Sequence, residues 1–222
     1  MKRSFALIAP YAAWMALMAV LPQTAWAYAL RGLVTAALLA AGAIFSRDRN
    51  VASPPVAATA ERCDGKRGRD IFVACLSGLP VGLLVFFVWI APEPWLWPDV
   101  ATAGREGAGA MYAPAACGWA LTVAKLCASA FVISVAEELF FRKWLVGFAG
   151  FGWMLALFGV EHMRWDLGAG RGCVFIAEGV FAGLAYGLLA KRFGILSAIV
   201  AHAATNLILG IYVIVWDKWF YW

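Results

Sequence analysis

A chain of 222 residues that is 64% hydrophobic and only 14% charged, with a mean hydropathy of +0.79, lies far from the composition of a water-soluble domain. Lipid is the solvent this composition fits, and apolar stretches recur along the whole length, so a single membrane domain over residues 1–222 is expected. The net charge of +5 falls in short segments between apolar runs, which fits topology and anionic lipid and argues against a nucleic-acid partner.

A bilayer core of about 30 Å asks for about 20 mostly apolar residues per helix. Runs of that kind lie at about 5–22, 26–45, 71–91, 117–146, 150–162, 173–190 and 196–216. They predict an all-α, polytopic transmembrane bundle of about seven spans, within a range of six to eight, with a long fourth span and a short fifth. The first run follows Lys2-Arg3 and ends near Ala25-Trp26-Ala27, the layout of a signal peptide, although an uncleaved first helix is the favoured reading. From Arg47 to Asp70 the chain carries Arg47, Arg49, Arg62, Lys66, Arg67 and Arg69 around Ser53-Pro54-Pro55, which reads as a flexible loop. With Lys2, Arg3, Arg142-Lys143 and Lys191-Arg192, this loop falls on one side of a seven-span chain. Arg31, Arg105, Arg164, Arg171 and Lys218 are scattered on the other. The positive-inside rule then expects a cytoplasmic N-terminus and an external C-terminus.

Trp95 and Trp97 after the third run, and Trp216, Trp219, Phe220, Tyr221 and Trp222 at the end, read as rings resting at the membrane–water boundary. Gly179, Gly183 and Gly187, four apart on the sixth run, predict close helix packing. The cysteines, Cys63, Cys75, Cys117, Cys127 and Cys173, are odd in number and lack CxxC spacing. They suggest neither a disulfide framework nor a zinc site, and small apolar packing is favoured over a nucleophilic Cys173.

Ionisable residues within spans are costly and point to function by default. Residues four apart share a helix face, and this spacing links Glu138 with Arg142, Phe158 with His162, and His202 with Asn206. Glu138 can reach Arg142 and be held there, a structural role. Glu137 points about 100° away, has no helical partner, and suits a general base that takes a proton from water. At roughly 1.5 Å per residue, Glu137 lies about 15 Å deep, His162 about 18 Å and His202 about 10 Å, which lets the three meet. Lys125 and Glu178 are expected to pair with each other in a structural role, and Glu161 to support His162 or belong to a loop.

The ordered set Glu137-Glu138-x-x-x-Arg142, Phe158-x-x-x-His162 and His202-x-x-x-Asn206 resembles the CAAX prenyl protease and bacteriocin-processing family of intramembrane endopeptidases, also called the abortive-infection family. The resemblance covers roughly residues 117–211. It implies a helical bundle in which Glu137 and His162 activate water, His202 and Asn206 stabilise the oxyanion, and Glu138 with Arg142 supports them. It favours a mechanism without a cofactor, although two histidines and a glutamate are also a ligand set for zinc with an open site. The chain end is similar to a bacterial subgroup associated with exosortase and PEP-CTERM sorting, which implies an inner (plasma) membrane and membrane-anchored protein or peptide substrates. Two rival readings are a small proton-coupled transporter, since buried Glu, His and Lys also build ion relays, and an inactive adaptor of a sorting complex.

Overall fold

The computed structural model of the chain describes residues 2–47, 60–96, 108–164 and 168–222. Apolar runs too long for a strand become helices, because in lipid each backbone N–H and C=O must find its partner within the segment. The main helices are α1 (Lys2–Val20), α2 (Ala25–Arg47), α3 (Ala60–Ile90), α4 (Trp119–Ala149), α5 (Phe151–Glu161), α6 (Gly168–Phe193) and α7 (Ile195–Trp216). No strand occurs among the described residues. Parts of α2, α3, α4, α6 and α7 are long and apolar enough to cross a membrane, and α1 and α5 are shorter apolar helices. The molecule is an integral membrane protein, a helical bundle with side chains such as Leu76, Phe87 and Trp153 facing outward.

One expected loop is shorter than its composition suggests. Helix α3 already begins at Ala60, so Arg62, Lys66, Arg67 and Arg69 lie on its first turns, while Arg49 and Ser53-Pro54-Pro55 fall outside the described residues. Alanine, glutamate, lysine and arginine are good helix formers, and extending an existing helix needs no new nucleus. A polar helical extension therefore carries the same charge as a loop.

Two turns are compressed to a single glycine. Gly150 (φ 89°, ψ 170°) joins α4 to α5, and Gly194 (φ 94°, ψ 164°) joins α6 to α7. This region of backbone space is essentially reserved for glycine. Each consecutive pair of helices is thereby set at a fixed angle beside the site.

Helices α3 and α7 meet along small residues. A side chain at Gly78 would stand 2.7 Å from the Ser197 carbonyl, and one at Gly82 2.5 Å from that of Ala201. Such backbone proximity is how helices associate in lipid, where expelling water offers nothing. Polar contacts reinforce the seam: the Ser77 hydroxyl donates to Ser197 Oγ at 3.1 Å, and Thr205 Oγ1 lies 2.8 Å from the Gly82 carbonyl. The predicted glycine stripe on α6 also packs closely, with Gly183 against Phe158 and Gly187 against Phe151 and Met154. At the far side of the bundle Tyr11 of α1 stacks on Phe140 at 4.5 Å and meets Phe141 edge-on at 5.3 Å.

The terminal aromatics depart from the expected boundary role. Trp95 and Trp216 are exposed, whereas Trp219, Phe220 and Tyr221 are buried, and Trp97 lies outside the described residues. The chain reverses at Asp217, in the left-handed conformation (φ 54°). The turn Trp219–Tyr221 then folds back onto the bundle. Glu93 ties it down, accepting from the Lys218 ammonium, from the Tyr212 hydroxyl at 2.9 Å and from the Tyr221 hydroxyl at 3.3 Å. The Arg164 guanidinium donates to the Phe220 carbonyl. Aromatic composition alone does not distinguish a boundary ring from a packed one.

Candidate active site

Within α4 the α-helical turn Ser134–Glu138 is bracketed by two π-helical stretches, Ala128–Ile133 and Leu139–Leu145. Wide turns of this kind displace the residues beyond them relative to an ideal helix, and they recur at functional sites. The bracketed turn carries Glu137 and Glu138, both buried, as is Arg142 beyond it.

Glu138 Oε1 lies 3.1 Å from Arg142 Nη1, one turn on, with both side chains out of solvent. Misaligned for a hydrogen bond, this contact is an attraction between charges. The guanidinium also lies over the Phe158 ring, 4.1 Å from its centre. The expected support pair thus forms. What spacing did not suggest is that Glu138 has a second partner: the same oxygen is 2.9 Å from His202 Nδ1 on α7. The other nitrogen of that ring, Nε2, is 3.6 Å from Glu137 Oε2. One imidazole therefore stands between the two neighbouring glutamates. Their side chains diverge around the helix, yet both reach a ring inserted from α7.

Tyr186 of α6 fixes this ring, stacking on it at 4.9 Å with an interplanar angle of 20°. The Tyr186 hydroxyl donates to Thr205 Oγ1 at 2.7 Å. Asn206, one turn beyond His202, directs Nδ2 to the Ser129 carbonyl and to Ser134 Oγ, both at 3.1 Å. Both amide protons are thus engaged on the first π-helical stretch and the turn after it.

His162 ends α5. Its Nδ1 is 2.7 Å from the Phe158 carbonyl, an atom that only accepts, so Nδ1 carries the proton and Nε2 is the ring's open acceptor. Phe158 and Trp89 hold the ring, with centroids at 4.8 and 5.2 Å. Gly179 makes room for it, since a side chain there would lie 3.1 Å from His162. Glu161 is the last residue of α5 rather than loop, and its carboxyl neighbours Glu137 and Tyr11.

His162, His202 and Asn206 all line one cavity of about 200 Å³, together with Trp89, Phe158 and Tyr186. Glu137 does not line it, but lies one layer behind His202. Of the two glutamates, Glu137 keeps 9% of its side chain accessible and Glu138 none. Lys125 and Glu178 do not pair. Lys125 turns toward Tyr28 and Ser129, and neither carboxyl oxygen of Glu178 has a hydrogen-bond partner among the described residues. Cys173 is exposed and is not among the cavity-lining residues, and Cys63 lies outside the residues whose side chains are described.

Tyr186, Thr205, Ser129, Ser134 and Trp89 escaped sequence reasoning. Ser129 and Ser134 are five residues apart, a spacing that brings residues together on a π-helix and not on an α-helix. The Ser134 hydroxyl donates to the Ser129 carbonyl at 3.1 Å.

Residues 118–208 match the family model described as Rce1-like, the type II CAAX prenyl endopeptidases. The matched segment runs from the start of α4 into α7 and contains each residue of the three motifs. It supports a CAAX-type intramembrane endopeptidase, a membrane-embedded hydrolase, in agreement with the resemblance read from those motifs. Comparisons with curated proteins and with solved structures gave no match.

Proposed function

We propose that the protein hydrolyses a peptide bond of a membrane-anchored protein or peptide, with water activated by Glu137 and His162 and without a metal. The carrying observation is the His202 ring held between Glu138 at 2.9 Å and Glu137 at 3.6 Å, on the wall of a cavity shared with His162 and Asn206. The division of labour between the glutamates draws on their surroundings. Glu138 is sequestered between Arg142 and His202, whereas Glu137 keeps 9% of its side chain accessible and has no guanidinium on it, and the proposed water reaches it past His202 from the cavity.

In the proposed reaction water attacks the carbonyl carbon, a C–O bond forms, and the water proton passes to Glu137. His162 Nε2, left as an acceptor by the Phe158 carbonyl, orients that water. Charge gathers on the carbonyl oxygen, where Asn206 Nδ2 donates to it together with His202 Nε2, the ring carrying a proton on each nitrogen because Nδ1 already donates to Glu138, and Asn206 exchanges one of its serine bonds for the oxyanion. Collapse breaks the C–N bond, and the proton on Glu137 leaves with the amine. The metal-free reading is supported by how the ring nitrogens are used. Nδ1 of His202 is held by Glu138 and Nδ1 of His162 by backbone, and the described residues hold no cluster of three or more histidine, cysteine or acidic side chains placed as metal ligands. The resemblance to the exosortase-associated subgroup supports a place in protein sorting at a bacterial inner membrane, and the distribution of Lys and Arg between the spans supports a cytoplasmic N-terminus.

The test is cleavage of candidate membrane-anchored substrates by the wild type and by Glu137→Ala, His162→Ala and His202→Ala. Each substitution is expected to lower the rate by about 100-fold or more, and exhaustive chelation to leave the wild type active. A wild-type rate in Glu137→Ala would show that the base lies elsewhere.

A further inference from the structure

Lys125 lies twelve residues before Glu137 on α4 and lines the same cavity as the two histidines. Its ammonium is directed toward the C-terminal end of the helix, 3.5 Å from Ser129 Oγ. It sits 3.9 Å from the centre of the Tyr28 ring, with the rings of Tyr112 and Trp222 at 5.1 and 5.3 Å. Arg31, only 1% exposed, approaches the same Tyr28 ring at 5.3 Å and Trp14 at 5.5 Å. Lys125 and Arg31 thus share one aromatic ring; Arg31 also donates to the Ala27 carbonyl and to Gln23 Oε1, both at 3.4 Å, and no carboxylate among the described residues forms an ion pair with either side chain. Ring faces offset part of the cost of burying a cation. A counter-anion offsets more of it, and the cavity is where one can enter.

We propose that Lys125, backed by Arg31 across Tyr28, is a carboxylate-binding subsite that anchors the peptide substrate in the catalytic cavity. The proposal rests on the protease reading above. Ser129 links the two regions: its hydroxyl is beside the ammonium and its carbonyl accepts from Asn206. The bound carboxylate therefore lies beside Ser129, in the cavity that His162 and His202 also line. It is either a chain terminus or an acidic side chain, two sources of one chemistry.

The decisive experiment measures binding separately from turnover. The full-length protein carrying Glu137→Gln is titrated, by tryptophan fluorescence, with a hydrophobic peptide acid, with its C-terminal amide, and with amides carrying one glutamate at successive positions. At least one carboxylate-bearing peptide is expected to bind about tenfold or more tighter than the plain amide. The form that does so identifies the source. Added Lys125→Met is expected to bring the ratio of acid to amide affinity to about one, and Lys125→Arg to preserve the preference. Equal binding of acids and amide, no measurable binding of any peptide, or a preference that survives Lys125→Met overturns the proposal. If Lys125→Met fails to fold, the acid and amide comparison on Lys125→Arg and on unchanged Lys125 still decides. Carboxylate preference without hydrolysis by the Glu137-containing protein would sink the protease reading alone, and hydrolysis without preference would sink the subsite alone.

Discussion

Glu138 shares its carboxylate between Arg142 at 3.1 Å and His202 at 2.9 Å, and all three groups are out of solvent. Buried pairs of this kind contribute little relative to apolar replacements, but removing one member leaves an uncompensated charge. Glu138→Gln and Arg142→Met are each expected to destabilise the protein by about 3–5 kcal/mol. The double variant should lose less than the sum, because its remaining groups are neutral. Equilibrium unfolding in mixed detergent checks both statements, and additive losses would show that the pair is not coupled. The helical half of this constellation was legible in the sequence, since Glu138 and Arg142 are four apart on one helix. Its other half was not, because His202 is 64 residues away and its contact depends on how α7 is packed.

At the scale of elements, tight connections and irregular helices position these residues. Gly150→Ala and Gly194→Ala would force a side chain onto a backbone conformation reserved for glycine, and each is expected to cost about 1–3 kcal/mol. Gly147 is an internal control: it has ordinary helical geometry and open space around it, so Gly147→Ala should be neutral or stabilising by up to about 1 kcal/mol. Thermal unfolding of the three variants separates backbone strain from a general intolerance of alanine in this region. The helices themselves were readable from apolar run length. The π-helical stretches were not, since nothing in the order of apolar residues distinguishes a wide turn from an α-helical one. The placement of Asn206 on Ser129 and Ser134 follows from those stretches, and so it was hidden with them.

For the whole molecule, the polytopic helical bundle was visible because hydropathy reports burial in lipid directly, although five of the described helices, not seven, are long and apolar enough to cross a membrane. Fine packing was visible only where glycine marked it, as on α6. The same signal was present at Gly78 and Gly82 on α3, but only the structure shows that they face Ser197 and Ala201. The C-terminal aromatics illustrate the limit from the other direction. Rings that would suit the membrane boundary instead fold over the bundle because Glu93, far earlier in the chain, holds Lys218, Tyr212 and Tyr221.

The α3–α7 seam has one more consequence. Trp89 and His202 stand on the two helices of this seam, whereas Glu137 and Glu138 belong to α4, so a change of helix tilt as the bilayer thickens or thins acts on the spacing between the two sets. Hydrophobic mismatch costs only fractions of a kcal/mol per Å, yet the glutamate–histidine gap it acts on is 3.6 Å wide. Turnover in vesicles of graded acyl-chain length is therefore expected to pass through a maximum, and binding of a substrate amide to vary less.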